Sequence, residues 1–178
     1  MSPPEIRIRP PLALRGLMIA LGLALSCAVR AGVVPGDPFL PLAAAGLEGG
    51  APPATSGKVV LVDFWASWCA PCKASFPAYA RLQAEYAPRG LVIVAVSVDE
   101  NPAACAAFVK RFRPPFAVRR DPGQHLARLV DVPAMPTCFL LGRDGRVRFV
   151  HQGFHGDDTE RELSQEIDHL LAEPTISP

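Results

Sequence analysis

The sequence has no excess of one charge, no second cysteine pair to complete a metal site and no apolar run long enough to cross a membrane. Its one extended apolar stretch, Gly16–Val29, has 14 residues, short of the roughly 20 that span a bilayer core as a helix. No second stretch of that kind follows, so a soluble or singly tethered chain is expected. The formal net charge is +1, but Arg7, Arg9, Arg15 and Arg30 cluster before residue 32. Setting these and Glu5 aside leaves 14 basic residues and 16 acidic ones. There is no basic stripe with interleaved aromatics, which argues against nucleic acid as a partner. The five cysteines, Cys27, Cys69, Cys72, Cys105 and Cys138, are an odd set with one close pair. That count argues against a disulfide-scaffolded fold. His125, His151, His155 and His169 have no ligand spacing to one another or to Cys69. A structural zinc site is usually four-coordinate, so Cys69 and Cys72 alone do not make one. There are no internal repeats.

What is present is concentrated around Trp65-Ala66-Ser67-Trp68-Cys69-Ala70-Pro71-Cys72-Lys73. It follows an apolar, β-branched run over Lys58–Trp65 and opens a helical pattern over Ala70–Tyr86. A cysteine at a helix start faces unpaired backbone N–H groups and the positive end of the helix dipole. That field favours thiolate over thiol, so Cys69 is the expected nucleophile. Cys72, two intervening residues later, falls within disulfide range and can resolve a mixed disulfide. Pro71 has no N–H to lose at this point and stiffens the loop. Asp63 sits inside the apolar run, where an ionised carboxylate is costly, so its pKa should rise.

In chain order, residues 1–31 read as a signal peptide or N-terminal anchor. Arg7, Arg9 and Arg15 give a positive start, and Val29-Arg30-Ala31 gives small residues at the cleavage positions. A lipoprotein acceptor role for Cys27 is a weaker option. Either way the domain is expected outside the cytoplasm. Residues 32–57, rich in Pro, Gly and Ala, read as a linker with one short strand around Phe39–Leu42. A kink is expected at Pro77 within the first helix. Leu91–Val98 is a second buried strand, and strand–helix–strand reads as a βαβ unit. A helix from Pro102 to Phe112, a strand over Phe116–Arg119 and a helix over Gln124–Val130 are expected next. Thr137–Leu141 and Val147–His151 flank a glycine-containing turn as a hairpin. Asp157–Leu171 is amphipathic, with Leu163, Ile167, Leu170 and Leu171 on one face. The domain ends near Ala172, and residues 173–178 form a tail.

The segment Val-Asp-Phe-Trp-Ala-Ser-Trp-Cys-Ala-Pro-Cys-Lys at 62–73, Pro77 five residues past the second cysteine, and Met135-Pro136-Thr137 before a late apolar run resemble the thioredoxin superfamily. Within it they are most similar to TlpA/ResA-like exported thiol–disulfide oxidoreductases. The resemblance covers Lys58 to about Ala172. It implies an α/β thioredoxin-like fold, a central mixed β-sheet flanked by helices. It also implies a TlpA-type insertion between the βαβ unit and a cis-Pro motif. The N-terminal hairpin common in such proteins looks abbreviated here.

By that resemblance Asp63 is the buried acid that passes a proton to or from Cys72, against a purely structural aspartate. The Met135–Pro136 bond is cis and faces the cysteine pair, and Met135 backbone groups pair with a client peptide. Pro71, Trp68 and Thr137 complete the expected client-binding surface. One of Trp65 and Trp68 belongs in the core and the other at the rim of the loop. Ser75 stands where relatives commonly carry Glu, which removes a nearby carboxylate. Cys138 is expected to point away from Cys69 if Thr137 faces the loop. Cys105 and Cys138 are either free buried thiols or a second disulfide.

The implied activity is dithiol–disulfide exchange, in the reductive direction. The implied partners are protein disulfide clients and a membrane thiol donor. Clients could include apocytochrome c or copper-site cysteines. A monomer is expected, with no bound metal and no cofactor beyond the Cys69–Cys72 dithiol. Two rival readings stand beside it: a thiol oxidant or isomerase, and a copper carrier of the same fold, since soft thiolates suit Cu(I).

Overall fold

The structure is a computed structural model that describes residues 32–174. The expected leader, Cys27 and most of the tail lie outside the described residues. Five strands form one mixed sheet: β1 (Val59–Trp65), β2 (Leu91–Ser97), β3 (Ala117–Arg120), β4 (Thr137–Leu141) and β5 (Val147–Gln152). Their spatial order is β3-β2-β1-β4-β5. β1 pairs in parallel with β2, and β2 in parallel with β3. β4 runs antiparallel to both β1 and β5. Every residue of β1 is buried, as a central strand covered on both faces requires. That is why its sequence is continuous Val, Leu and Phe rather than alternating.

Four helices complete the fold: α1 (Ala70–Tyr86), α2 (Pro102–Phe112), α3 (His125–Leu129) and α4 (Asp157–Ala172). α1 buries Cys72, Ser75, Phe76, Tyr79, Leu82 and Tyr86, a stripe at helical spacing. It continues past Pro77 to Tyr86 and ends in a 3-10 turn, Ala87–Arg89. Gly90 then takes φ 110°, a left-handed conformation that glycine adopts without steric cost. α4 buries Leu163, Ile167 and Leu170 and opens on Asp157, Asp158 and Glu160, acids that suit the positive end of a helix dipole. It is tied to α1 by Arg81 to Glu160 and to the 3-10 turn after α1 by Arg89 to Asp168. Among the described residues no helix is long and apolar enough to cross a membrane.

The sheet register sets the site. Asp63 lies directly opposite Cys138 across the β1–β4 pair, so both side chains share one face. The Asp63 carboxylate touches Tyr79 of α1, which identifies that face as the one beneath α1. The other face carries Phe64 against Phe139, and Phe139 against Phe39 of the N-terminal segment.

Three local expectations are corrected. Phe39–Leu42 is not a strand. Pro38 forms a single bridge to Arg146, and Leu42–Ala44 is a 3-10 turn. Pro38 and Pro41 remove two N–H donors from so short a stretch that no ladder forms, and Phe39 and Leu42 serve as core plugs. The insertion strand starts one residue later, at Ala117. The helix after it shortens to His125–Leu129 because Gln124, at φ 58°, is left-handed and ends a separate 3-10 turn, Pro122–Gln124.

Candidate active site

β1 delivers its last residue, Trp65, into the core, and the chain then turns sharply toward α1. Asp99, just past β2, clamps that turn. Its carboxylate accepts from the Ser67 backbone N–H at 3.0 Å, from Ser67 Oγ at 2.8 Å and from Ser97 Oγ at 2.7 Å. The clamp is buried and fixes where Trp68 and Cys69 emerge. Cys69 is the N-cap of α1, with φ −78° and ψ 111°. Its Sγ accepts from the Cys72 backbone N–H at 3.2 Å, the position an N-cap oxygen ordinarily fills. Pro71 lies in the first turn, where a missing N–H costs nothing.

Cys69 and Cys72 are joined as a disulfide with a Cα–Cα distance of 5.3 Å. Cys69 retains 5% exposure and Cys72 none. An incoming sulfur therefore reaches Cys69 and not Cys72. Cys69 Sγ stands 3.6 Å from the Met135 carbonyl oxygen, and the Met135–Pro136 peptide is cis. Loop residues 66 apart in sequence thus meet at the Cys69 sulfur. Thr137 does not join them. Its side chain is buried, donating from Oγ1 to the Ala134 carbonyl at 2.7 Å, on the Phe139 face of the sheet.

The two tryptophans separate cleanly. Trp65 is fully buried, with ring centroids 4.9 Å from Phe76 and 4.4 Å from Phe108. Trp68, next to Cys69 in the loop, is 68% exposed.

Beneath α1 lies a buried polar cluster. The Tyr79 hydroxyl donates to Asp63 Oδ1 at 3.1 Å, while Asp63 Oδ2 has no partner among the described residues. Burial raises the Asp63 pKa well above the ordinary carboxylate range, and the Tyr79 hydrogen bond offsets part of that. Burial and the adjacent Asp63 charge likewise push the Tyr79 phenol up. Cys138 belongs to this cluster, and burial followed by the Asp63 charge drives its thiol far up. With Thr137 turned to the opposite face, the condition for Cys138 pointing away from the active-site layer is not met. Cys105 and Cys138 are both free and buried, so no disulfide joins them. Ser75 is buried and donates to the Cys72 carbonyl at 2.9 Å.

Tyr79 and Asp99 escaped the sequence reading. Tyr79 had a usable signal, since seven residues past Cys72 is two turns along the same helix face. Asp99 had none beyond being an acid at a strand end.

The Redoxin family profile matches residues 45–167. Thiol-disulfide oxidoreductase ResA of Bacillus subtilis (strain 168) is 37% identical over 91 residues, covering 51% of this chain and 51% of that protein. ResA of Bacillus thuringiensis subsp. konkukian (strain 97-27) is 34% identical over 109 residues, covering 61% of each. The chain thus spans between half and two thirds of the length of these curated relatives. Among solved structures, a thiol:disulfide interchange protein DsbE of Chlorobium tepidum superposes with TM-score 0.64 at 39% identity. That alignment covers 66% of this chain and 83% of the other. StoA of Bacillus subtilis, at 23% identity and TM-score 0.54 over 61% of this chain and 84% of its own, shares the fold. With a five-stranded mixed sheet of thioredoxin-like architecture and a profile match over well more than half its length, this chain belongs to the Redoxin family.

Proposed function

We propose that the protein is an exported thiol–disulfide oxidoreductase that reduces disulfides in client proteins. The observation that carries this reading is the Cys69–Cys72 pair at the start of α1, with the Cys69 sulfur as helix cap and the Met135 carbonyl 3.6 Å away. The similarity to ResA and DsbE proteins supports the same chemistry.

In the reduced enzyme, Cys69 thiolate attacks one sulfur of a client disulfide. A Cys69–client S–S bond forms, the client disulfide breaks, and the released client thiolate takes up a proton from solvent. Cys72 then gives its proton to Asp63 and attacks the Cys69 sulfur. The mixed disulfide breaks, the second client thiolate leaves and is protonated, and Cys69–Cys72 is oxidised. Two electrons pass from the enzyme dithiol to the client. A membrane thiol donor outside the cytoplasm restores the dithiol. Client disulfides of the apocytochrome c or copper-site type fit this role. Asp63 suits the proton step because burial holds its pKa well above the ordinary carboxylate range and Oδ2 is unengaged among the described residues.

The test is the reduction potential of the Cys69–Cys72 pair in the full chain. A value near −270 mV or below, roughly the thioredoxin range, supports a reductant. A value between about −180 and −120 mV places the pair with isomerases and oxidants and overturns the reductive direction.

A further inference from the structure

We infer that the cleft between the cysteine loop and α2 is a docking shelf for a client segment with acidic side chains beside its disulfide. This rests on the oxidoreductase reading and specifies its substrate.

The cleft has a volume of about 330 Å³. Ser67 and Lys73, which bracket the cysteine pair in sequence, form one wall, and Ala104, Phe108, Arg111 and Phe112 of α2 form the other. Both ionisable groups in it are cations. Neither Lys73 nor Arg111 forms an ion pair among the described residues. Asp99, on the far side of Ser67, is buried and committed to Ser67 and Ser97. Arg113, the C-cap residue of α2, adds a further cation at that helix end.

Cations at a helix C-terminus are common because they complement the dipole. That explains Lys110 and Arg111 but not the apolar surface beside them. The large exposed hydrophobic residues of the described chain are Trp68, Phe112 and Leu129; Phe112 lines this cleft, and Trp68 directly follows Ser67 of its wall in sequence. Phe112 stacks on Phe108 at 4.2 Å, and the Arg111 guanidinium lies over the Phe112 ring at 5.5 Å. Aromatic rings paired with an arginine make a recurrent anchor for a protein partner. The cationic charge also runs against the chain as a whole, where acids outnumber bases after residue 31. A local field of this sign, next to the nucleophile, selects an anionic partner and accelerates its approach.

The experiment uses the full chain, reduced, with two synthetic peptides, each closed by one disulfide. They differ only in whether Asp and Glu or Lys residues flank the cysteines. The acidic peptide should be reduced with kcat/KM roughly tenfold higher at low salt, and the ratio should shrink toward one as salt rises. Arg111→Glu should invert the preference, and using a ratio cancels any loss of folded enzyme. Equal rates for both peptides, or a preference that Arg111→Glu does not move, would overturn the shelf and leave the oxidoreductase reading standing. Binding of the same peptides with Ser in place of Cys, followed by tryptophan fluorescence, decides the shelf without turnover. If neither peptide is reduced, the oxidoreductase reading falls. Tighter binding of the acidic peptide would still support the shelf, and equal binding would overturn it.

Discussion

The Tyr79 hydroxyl reaches Asp63 Oδ1 at 3.1 Å inside a layer closed to solvent. The bond stabilises the ionised carboxylate, and burial opposes it more strongly. The balance leaves a proton on Asp63 well above the pH at which an exposed aspartate loses it. In Tyr79→Phe the carboxyl loses its donor, so its titration should move further up. The pH profile of mixed-disulfide resolution should follow it, while the initial attack by Cys69 keeps its own profile. A profile that does not shift would separate Tyr79 from the proton step.

Asp63 also makes stability depend on pH. Its folded pKa lies above the unfolded value of about 3.9. Its favourable contribution is therefore complete below pH ~3.9 and is lost as pH rises through the folded value. Each pH unit in that window costs about 1.4 kcal/mol at most. Asp63→Asn should remove the loss. The variant should gain stability over the parent at pH 7 and 8 relative to pH 4, as read by urea melts across pH. It should also slow resolution of the mixed disulfide while sparing the first attack.

The four thiols of the reduced domain should sort by accessibility. Alkylation at pH 8 should mark Cys69 first. Cys138 should label only on unfolding, since its thiol is buried and pushed far up beside Asp63. Cys105 is also buried and shifted up and should lag behind Cys69. Peptide mapping by mass spectrometry checks the order, and early labelling of Cys138 would contradict the packing described.

Asp99→Ala should loosen the redox loop. It strands the Ser67 backbone N–H and two hydroxyls that now share one carboxylate. Hydrogen bonds to a charged group of this kind contribute about 1.5–3 kcal/mol, and a loss of roughly that size is expected in a denaturant melt.

The two tryptophans should give opposite phenotypes. Trp65→Ala opens a cavity between Phe76 and Phe108 and should cost about 3–5 kcal/mol of stability. Trp68→Ala should leave stability within about 0.5 kcal/mol and instead raise KM for protein clients. Calorimetry and client kinetics on the pair of variants check both.

Much of this layout is legible in the sequence. Lys58–Trp65 reads as a strand because an unbroken β-branched run suits a centre covered on both faces. Asp63 stands out because nothing else from Val59 to Trp65 is charged. What stayed hidden depends on pairings across long sequence separations. Tyr79 and Asp63 are 16 residues apart, and Ser67 and Asp99 are 32 apart. No local periodicity encodes either contact. The facing of Thr137 and Cys138 depends on the β1–β4 register, where a one-residue slip exchanges the two faces. Phe39–Leu42 misled because its apolar residues suggest a strand while its flanking prolines deny the ladder.

Because Cys69 Sγ is both half of the disulfide and the cap of α1, redox state and folding free energy form one thermodynamic cycle. The gap in stability between the reduced and oxidised folds equals the displacement of the pair's potential from that of an unstructured dithiol. A substitution anywhere in α1 that favours the reduced fold by about 1.4 kcal/mol raises the potential by about 30 mV, however far it lies from the sulfurs. The melting curves of the two redox forms can therefore serve as a voltmeter for the site.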